Sequence, residues 1–488
     1  MGIHRYFFLK LNLTLTLILA LSAFVNHSLA DSARSVILII GDGMDDHQIT
    51  IARNYLVGSR GKLLLDEMPF RAVAQILTVD EKSGLPIYVA DSANTATSLA
   101  TGGITSRGRI ATSAGEDRDL MTIAELAQSK GYRTGLVTTS SVTDATPASF
   151  ATHVSKRSCE SPDAMIDYER YGILLGSCLN DLKRNGGFGS ISEQLVTSSV
   201  NVILGGGRQY FTPQIEGGEK TVLELGIENG FTVIHSWESK DQLKPTDRVL
   251  GLFAEEHLPV KLKGEADRTA EPPNKSMLHH LNKYLGEITL PEPMKCVPNS
   301  NFNETPTLKE MSNLAIRQLS HQNSNGFFLM IESASIDKQS HERKPCGSIG
   351  ELNQLIDAVS IALDYADENP NTLVLVTSDH SHAAQIVPDT SLFSNYPIPV
   401  YTPGKLARIY TKEGSILAIN YATNNFEAEE HTGANVPIFG NIVAVNERLP
   451  VYLHQPDLFT VMARYLGLNQ SNSPAESNSL LSELLLVE

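Results

Sequence analysis

The stretch SVILIIGDGM, residues 35–44, decides the fold of this 488-residue chain. After the first serine, the run is wholly apolar and mostly β-branched until Gly41. A continuous run of this kind is typical of a strand that is buried on both faces, as in a parallel sheet covered by helices. Asp42 follows directly between two glycines. The stretch therefore predicts a buried parallel strand with an acidic side chain at its carboxyl end.

The same alternation of buried strands and helices recurs along the chain. Further strands are predicted at residues 135–139, 201–204, 326–331 and 372–376, and helices at 47–56, 120–130, 308–318 and 349–366. Alternating strands and helices predict the α/β class, with a mostly parallel central sheet sandwiched by helices. Residues 208–300 and 384–430 are irregular in pattern, so we interpret both as segments inserted into one domain that spans residues 31–488.

Residues 1–30 have the features of a secretory signal peptide. Basic residues come first, an apolar run follows, and Ser28-Leu29-Ala30 offers small residues for cleavage. The apolar run is too short and too often interrupted to predict a membrane span. Removing the two basic side chains changes the formal net charge from −16 to −18. We expect an exported protein without a membrane anchor, whose acidic surface argues against nucleic acid as a partner.

The four cysteines are consistent with export, because an oxidising compartment favours disulfides. Cys159, Cys178, Cys296 and Cys346 allow three pairings. Nearness in sequence favours Cys159–Cys178, which leaves Cys296–Cys346. None of them has the C-x-x-C spacing of a thiolate zinc site.

Ser92 begins a run of small residues that ends at Gly102-Gly103. The pattern predicts a helix with Ser92 at or near its N-terminus, where free N–H groups and the helix dipole favour an anion. An aspartate or serine in this position usually only caps the helix. Asp91-Ser92 alone therefore leaves both a cap and a nucleophile open.

Acidic residues and histidines cluster where the predicted strands end. They are Asp42, Glu332, Asp337, His341, Asp379, His380 and His382, with His431 in a later Glu-Glu-His-Thr-Gly stretch. The carboxyl ends of parallel strands face one crevice, so residues far apart in sequence can meet there. Mixed Asp and His ligands suit zinc, whereas carboxylates with a hydroxyl suit magnesium. Each residue alone is more often structural, but their joint position indicates a metal-dependent hydrolase.

Six motifs in order give the sequence its resemblance to a known family. They are Gly41-Asp42-Gly43-Met44, Asp91-Ser92-Ala93, Asp144-Ala145-Thr146-Pro147, Glu332 with Asp337–His341, Asp379-His380-Ser381-His382 and His431-Thr432-Gly433. Over nearly the whole mature chain the sequence resembles the alkaline phosphatase family, nearest to its periplasmic enzymes of the E. coli type. The resemblance implies a catalytic domain that hydrolyses phosphate monoesters to an alcohol and inorganic phosphate through a phosphoserine at Ser92.

The resemblance also implies a role for each site residue and two Zn²⁺ and one Mg²⁺ per chain. The first zinc would be held by Asp337, His341 and His431, the second by Asp42, Asp379 and His380, and the magnesium by Asp42, Thr146 and Glu332. Arg157 would bind two phosphate oxygens and be oriented by Asp91. Asp144 and Lys338 would act through water, and His382 would support the ligands from outside their set. A periplasmic homodimer is implied as well, with secretion left open.

One neighbouring residue, one departure from the family pattern and two alternatives accompany this interpretation. Lys156 precedes Arg157, and such a basic pair is usually solvated, which leaves a surface role for Arg157 open. Asp45 replaces a glycine common in the family and is expected to add negative charge near the entrance. One alternative is a hydrolase of phosphodiesters or sulfate esters, against which Arg157 and the absence of a Cys-x-Pro-x-Arg motif argue. The other is a silent protein that binds phosphate or metal, against which the intact Ser92 and ligand set argue.

Overall fold

A computed structural model of the protein describes residues 33–170 and 172–468. Its largest element is a ten-stranded sheet. In chain order its strands are β1 Ser35–Gly41, β2 Phe70–Gln75, β3 Arg133–Ser141, β4 Val202–Gly206, β5 Phe231–Ile234, β6 Arg248–Leu252, β7 Phe327–Ser333, β8 Thr372–Ser378, β9 Val436–Gly440 and β10 Tyr452–His454. Their spatial order is β10-β2-β9-β8-β1-β7-β3-β4-β6-β5. Within this sheet β9 alone runs antiparallel to its neighbours, so the predicted mostly parallel sheet is confirmed.

Helices cover both faces of the sheet. Among the described residues the α-helices are α1 Asp46–Leu56, α2 Leu64–Glu67, α3 Ser92–Thr101, α4 Ile123–Ser129, α5 Ala145–Ala148, α6 Ile191–Thr197, α7 Val222–Glu228, α8 Met277–Leu281, α9 Leu308–Ser320, α10 Ser335–His341, α11 Pro345–Glu368, α12 Ile442–Asn446 and α13 Asp457–Tyr465. The four helices predicted from the sequence correspond to α1, α4, α9 and α11. Every helix in the described ranges is too short or too polar to span a bilayer.

Strand β1 lies at the centre of the sheet and divides the apolar core in two. Val36, Leu38 and Ile40 pack into the core that contains α3, α4 and α6. Ile37 and Ile39 pack into the opposite core, with α1, α9 and α11. Successive side chains of a strand point to opposite faces, so an apolar run without alternation is what a strand between two helical layers requires.

The register of β1 brings the strand ends to one level. Gly41 pairs with Ser333 of β7 on one side and with Ser378 of β8 on the other. Asp42 and Asp379 therefore leave the sheet next to each other, and α10 begins two residues after β7 ends. This common edge is the crevice in which ligands bind to open α/β sheets.

The two stretches interpreted as insertions contain more regular structure than expected. Residues 208–300 supply β5 and β6 at one edge of the central sheet. The sequence pattern did not reveal them, because each is a short apolar segment between polar loops. Residues 384–430 form a separate antiparallel sheet from Gln385–Val387, Lys405–Tyr410 and Ile416–Tyr421. The predicted signal peptide at residues 1–30 and the tail after residue 468 lie outside the described residues.

Both expected disulfides are present, Cys159–Cys178 and Cys296–Cys346. The first closes a loop that carries a β-hairpin, formed by Tyr168–Arg170 and Ile173–Gly176. The second ties the ribbon formed by Leu262–Gly264 and Cys296–Pro298 to the start of α11. The pairing favoured by sequence nearness is confirmed.

Replacing Cys296 and Cys346 together by alanine should lower the free energy of unfolding by about 2–4 kcal/mol, because the cross-link restricts a long loop of the unfolded chain. Urea denaturation of oxidised wild type and variant measures the difference. After reduction, wild type should lose at least this much stability. Thiol labelling of the unreduced wild type should give no signal, and labelled cysteines would contradict the pairing.

Candidate active site

Ser92 lies at the N-terminus of α3, where the sequence predicts it. Asp91 is the N-cap residue, and its carboxylate accepts a hydrogen bond of 3.2 Å from the Asn94 N–H. The Ser92 side chain is buried, and its Oγ lies 3.2 Å from Nε2 of His380. The cap role therefore belongs to Asp91, which leaves the Ser92 hydroxyl directed towards the histidine.

Arg157 and Lys338 share the carboxylate of Asp144. Arg157 donates to Asp144 Oδ1 at 2.9 Å and to Asp91 Oδ2 at 3.3 Å. Lys338 donates to Asp144 Oδ2 at 2.5 Å. The Arg157 side chain remains 33% exposed, so its guanidinium is held by two carboxylates and still open to the crevice. Arg157 thus belongs to the site and is not a solvated neighbour of Lys156.

These two cations set the protonation state of Asp144. Burial alone would raise its pKa, but the charges of Lys338 and Arg157 outweigh burial and hold the pKa well below its usual range. In return, although burial would lower them, the pKa values of Arg157 and Lys338 rise beside this carboxylate. The three groups remain charged throughout the physiological pH range.

Four residues form one candidate metal group: Asp337, His341, His382 and His431, with one potential ligand atom from each within 4.8 Å of all the others. Asp337 and His341 lie four residues apart on α10, one turn of helix from each other. His431 comes from the loop before β9, and its Nε2 is 3.2 Å from Asp337 Oδ1. The i, i+4 spacing predicted this juxtaposition.

Asp42, Asp379 and His380 form a second candidate group on the same criterion. Asp42 Oδ1 and Asp379 Oδ2 are buried without a hydrogen-bond partner. Burial and the charges of Asp337 and Asp379 raise the pKa of Asp42 well above its usual range, and burial raises that of Asp379 to about 6. Buried carboxylate oxygens without donors are costly unless a cation neutralises them, so this donor set fits a divalent metal.

The hydrogen bonds of three histidines leave a lone pair directed into the crevice. Nδ1 of His341, His380 and His431 lies against the backbone carbonyls of Glu429, Ser381 and Ala90, respectively. A carbonyl can only accept, so each Nδ1 carries the proton and each Nε2 is unprotonated in the neutral ring. The Nε2 atoms of His341 and His431 face each other at 3.0 Å, which two lone pairs tolerate only with a cation near them.

His382 has the opposite arrangement. Its Nδ1 accepts a hydrogen bond of 2.8 Å from the backbone N–H of Ala383. Nε2 therefore carries the proton in the neutral ring and lies 3.2 Å from Asp337 Oδ1. His382 is thus suited to donate to a ligand and not to bind the metal itself, which is the supporting position that the sequence resemblance implies.

Glu332 and Thr146 are the two predicted magnesium ligands besides Asp42. Glu332, in β7, accepts hydrogen bonds from the hydroxyls of Thr138 and Ser140 in β3. Burial and the charge of Asp144 raise its pKa to about 7, although the Thr146 hydroxyl of α5 lowers it in part. The negative charge of Glu332 also acts on Asp42. Carboxylates with a hydroxyl are the donor set that Mg²⁺ prefers.

Two features of the site were missed or misjudged in the sequence. Arg343 donates to Glu429 Oε2 at 2.6 Å in a fully buried ion pair, which holds the loop whose Glu429 carbonyl orients His341. Charged side chains shortly after His341 and before His431 were the available signal. Asp45 was expected near the entrance, which is wrong: it is buried, caps α1 and accepts from the His382 N–H at 3.3 Å.

The crevice therefore brings all fourteen predicted side chains to one edge of the sheet. A serine at a helix N-terminus, an arginine open to the crevice and two groups of metal-binding donors define a metal-dependent hydrolase of the α/β class. Such an arrangement can bind an anionic group at Arg157 and the helix N-terminus and expose it to the serine hydroxyl.

Comparison with known proteins agrees with this class. The family model described as alkaline phosphatase matches residues 33–438, and the chain belongs to the alkaline phosphatase family, whose members hydrolyse phosphate monoesters with the help of metal ions. Alkaline phosphatase of Escherichia coli is 37% identical over 92% of this chain and 89% of its own length. Streptomycin-6-phosphate phosphatase of Streptomyces griseus is 38% identical over 83% of this chain and 84% of its own length.

Solved structures support the same fold. The alkaline phosphatase of the Antarctic bacterium TAB5 superposes with a TM-score of 0.62 at 23% identity, covering 90% of this chain and 100% of its own. That of Thermus thermophilus gives 0.61 at 18% identity, covering 93% and 96%. A mutant of the TAB5 enzyme has Mg bound in its M3 site. It superposes with a TM-score of 0.61 at 23% identity, covering 90% of this chain and 99% of its own.

The opposite hydrogen bonding of His431 and His382 gives a testable difference. His431→Gln should lose about one metal ion per chain, because the amide replaces a lone pair directed at Asp337. His382→Gln keeps an N–H donor and should retain the full metal content. Elemental analysis after dialysis against metal-free buffer measures both. Equal metal loss in the two variants would contradict the assignment of the proton to Nε2 of His382.

Proposed function

We propose that the protein hydrolyses phosphate monoesters through a phosphoserine formed on Ser92. The observation that supports this most directly is the position of the Ser92 hydroxyl. It lies at a helix N-terminus, 3.2 Å from His380 Nε2, in the crevice to which Arg157 is open. Asp91 fills the cap position, so the hydroxyl is not needed for capping.

We propose that two Zn²⁺ and one Mg²⁺ occupy the three donor sets. Asp337, His341 and His431 would hold the first zinc, and Asp42, Asp379 and His380 the second. Asp42, Thr146 and Glu332 would hold the magnesium, because carboxylates with a hydroxyl are the donor set that Mg²⁺ prefers. Bound divalent ions supply charge stabilisation and lower the pKa of a nearby hydroxyl. The unpartnered oxygens of Asp42 and Asp379 support this occupancy.

The residues of the chain itself bind and orient the phosphate. The guanidinium of Arg157 is planar and can donate to two non-bridging oxygens at once. Asp91 and Asp144 fix it through hydrogen bonds of 3.3 and 2.9 Å. Lys338 adds a positive charge on the same side and, with Asp144, would order water next to the phosphate. The N–H groups at the start of α3 favour the same anion.

The reaction would proceed in two displacements. In the first, Ser92 Oγ forms a bond to phosphorus while the bond from phosphorus to the ester oxygen breaks, and the alcohol leaves with a proton. In the second, a water oxygen attacks the phosphoserine, and the Ser92 oxygen leaves and regains a proton. Arg157 can hold the same two phosphate oxygens during both displacements, because they are not exchanged.

The arrangement favours monoesters over diesters. A monoester presents two charged non-bridging oxygens to Arg157 and keeps a further oxygen for the metal side, whereas a diester carries a second organic group in place of one of them. The diesterase alternative would require this group to lie beside Arg157 or the buried metal donors. A protein that only binds phosphate or metal has no use for a buried hydroxyl directed at them.

The first test is one purified preparation, assayed for metal content and for hydrolysis of p-nitrophenyl phosphate against bis(p-nitrophenyl) phosphate. We expect about two zinc and one magnesium per chain and a strong preference for the monoester. Preference for the diester would contradict the proposal and indicate a phosphodiesterase. Bound metal without hydrolysis of either ester would support the silent binding protein.

Ser92→Ala should retain its metals and lose at least about a thousandfold in kcat, because the covalent route is closed. Ser98→Ala is a matched control: Ser98 is buried in the same helix, and its hydroxyl bonds only to the Asn94 and Gly103 carbonyls. It should keep nearly full activity. Acid quenching of wild type with radiolabelled phosphate should label Ser92, and unchanged turnover in Ser92→Ala would exclude the phosphoserine.

We also propose that the protein works outside the cytoplasm, in the periplasm. Support comes from the signal-like residues 1–30 and from two disulfides, which persist in oxidising compartments.

A homodimer is proposed too, through the surface formed by the two inserted segments. His279 and Tyr401 pack edge to face between these segments, with ring centroids 5.6 Å apart. Met277, Leu281 and Leu392 nearby in sequence are 79%, 82% and 87% exposed. Large apolar side chains exposed on two segments that contact each other are typical of an interface.

Replacing Leu281 and Leu392 together by aspartate should convert the dimer to a monomer, because the charges would be buried without partners. Light scattering coupled to gel filtration gives the mass. Leu85→Asp, at an apolar side chain that is 61% exposed elsewhere, serves as control. A monomeric wild type would contradict the proposal.

A further inference from the structure

A cleft of about 570 Å³ adjoins the catalytic crevice on the side of Arg157. Arg157, Asp144 and Lys338 form its inner end, and Arg107, Lys156 and His257 line it farther out. The mechanism proposed above uses only the inner end. The outer part is therefore space beside the phosphate with no assigned use.

The cleft is more basic than the rest of the protein. Five lysines and arginines line it against three carboxylates, whereas the whole chain has a formal net charge of −16. Glu81 is paired with Arg109 and Asp144 with Arg157 and Lys338, and Glu160 accepts a hydrogen bond of 2.6 Å from the Thr143 hydroxyl. A local positive excess in an acidic protein concentrates anions at that place.

Two of the basic side chains carry no compensating charge. Among the described residues, neither Arg107 nor Lys156 has a carboxylate within ion-pair distance. Arg107 is anchored by donating to the backbone carbonyl of Val89, three residues before Ser92. This contact fixes the guanidinium beside the loop segment that leads to the nucleophile and leaves its charge available.

Lys156 packs against the hairpin within the Cys159–Cys178 loop. Gly176 has a φ of +98°, and a Cβ at that position would lie 2.1 Å from Lys156 Nζ. The ammonium group therefore rests directly against Gly176. Tyr168 and Leu175 of the same hairpin form the outer wall of the cleft, so the hairpin both bounds the space and positions a cation in it.

His257 adds a hydrogen-bond donor to the same lining. Its Nδ1 accepts a hydrogen bond of 3.0 Å from the backbone N–H of Ser141. Nε2 therefore carries a proton even in the neutral ring. Arginine, lysine and an imidazole N–H are the groups that bind phosphate oxygens.

We propose that this cleft is a subsite for a second phosphate group, carried by the leaving group of the substrate. The inference rests on the proposed function and narrows its substrate class to monoesters whose alcohol is itself phosphorylated, such as bisphosphates. Arg107 and Lys156 would bind the second phosphate while Arg157 binds the one that is transferred. A cationic leaving group would be disfavoured by the same charges.

The test compares initial phosphate release from adenosine 3′,5′-bisphosphate, adenosine 5′-monophosphate and phosphocholine. Wild type should show a kcat/KM about tenfold higher for the bisphosphate than for the monophosphate, as expected of two partly exposed ion pairs, with phosphocholine lowest. In Arg107→Gln/Lys156→Gln the ratio of bisphosphate to monophosphate should fall to about two, the value set by its two ester groups. High salt should reduce the wild-type ratio in the same direction.

Arg118→Gln/Lys309→Gln is the matched control, because it removes the same two charges from exposed positions outside the cleft. It should keep the wild-type ratio. A wild type without preference for the bisphosphate, or equal losses on both nucleotides in the cleft variant, would overturn the subsite and leave the phosphatase proposal intact. Absence of phosphate release from every ester would instead overturn the proposed function, and the subsite with it.

Discussion

Buried negative charge at the carboxyl edge of the sheet is the constraint on which the rest of the site depends. Asp42, Glu332, Asp337 and Asp379 are all almost fully removed from solvent. Transfer of each ionised carboxylate out of water costs several kcal/mol unless cations are close. Arg157 and Lys338 meet this demand on one side only, so divalent metals on the other side would stabilise the folded crevice as well as serve its chemistry.

Backbone groups orient the histidines that lie next to these buried carboxylates. Three imidazoles donate through Nδ1 to carbonyls, so that in the neutral ring the lone pair of Nε2 faces the acidic groups. His382 is fixed the other way by one N–H group. A carbonyl can only accept a hydrogen bond and an N–H group can only donate one, so the fold sets the tautomer of each neutral histidine before a metal binds.

Much of this could be predicted from sequence, because a parallel sheet brings its strand ends together. The apolar run before Asp42 identifies a central strand, and from there the acidic residues after other strands must share one edge. The family resemblance then gave each residue a role. Arg343 and Glu429 escaped notice, since a buried ion pair in two loops leaves no periodic pattern. Strands β5 and β6 were not predicted for a related reason, because a short edge strand has too few apolar residues to give a recognisable pattern between polar loops.

The outer cleft could not be predicted either, because no motif describes it. Arg107, Lys156 and His257 come from three separate loops, and only the folded chain shows that they face one space. Arg107 and Lys156 matter because neither has an ion-pair partner among the described residues, which a sequence does not reveal.

The Cys159–Cys178 disulfide allows the length of the hairpin to change in evolution without disturbing the sheet. Because the cross-link closes the loop at its base, residues can be added or lost beyond it for only a small change in closure entropy. The outer wall of the cleft can thus be rebuilt while Arg157, just before the bridge, stays in register with Ser92. A lineage could in this way change which phosphorylated alcohols it processes without altering the machinery that removes the phosphate.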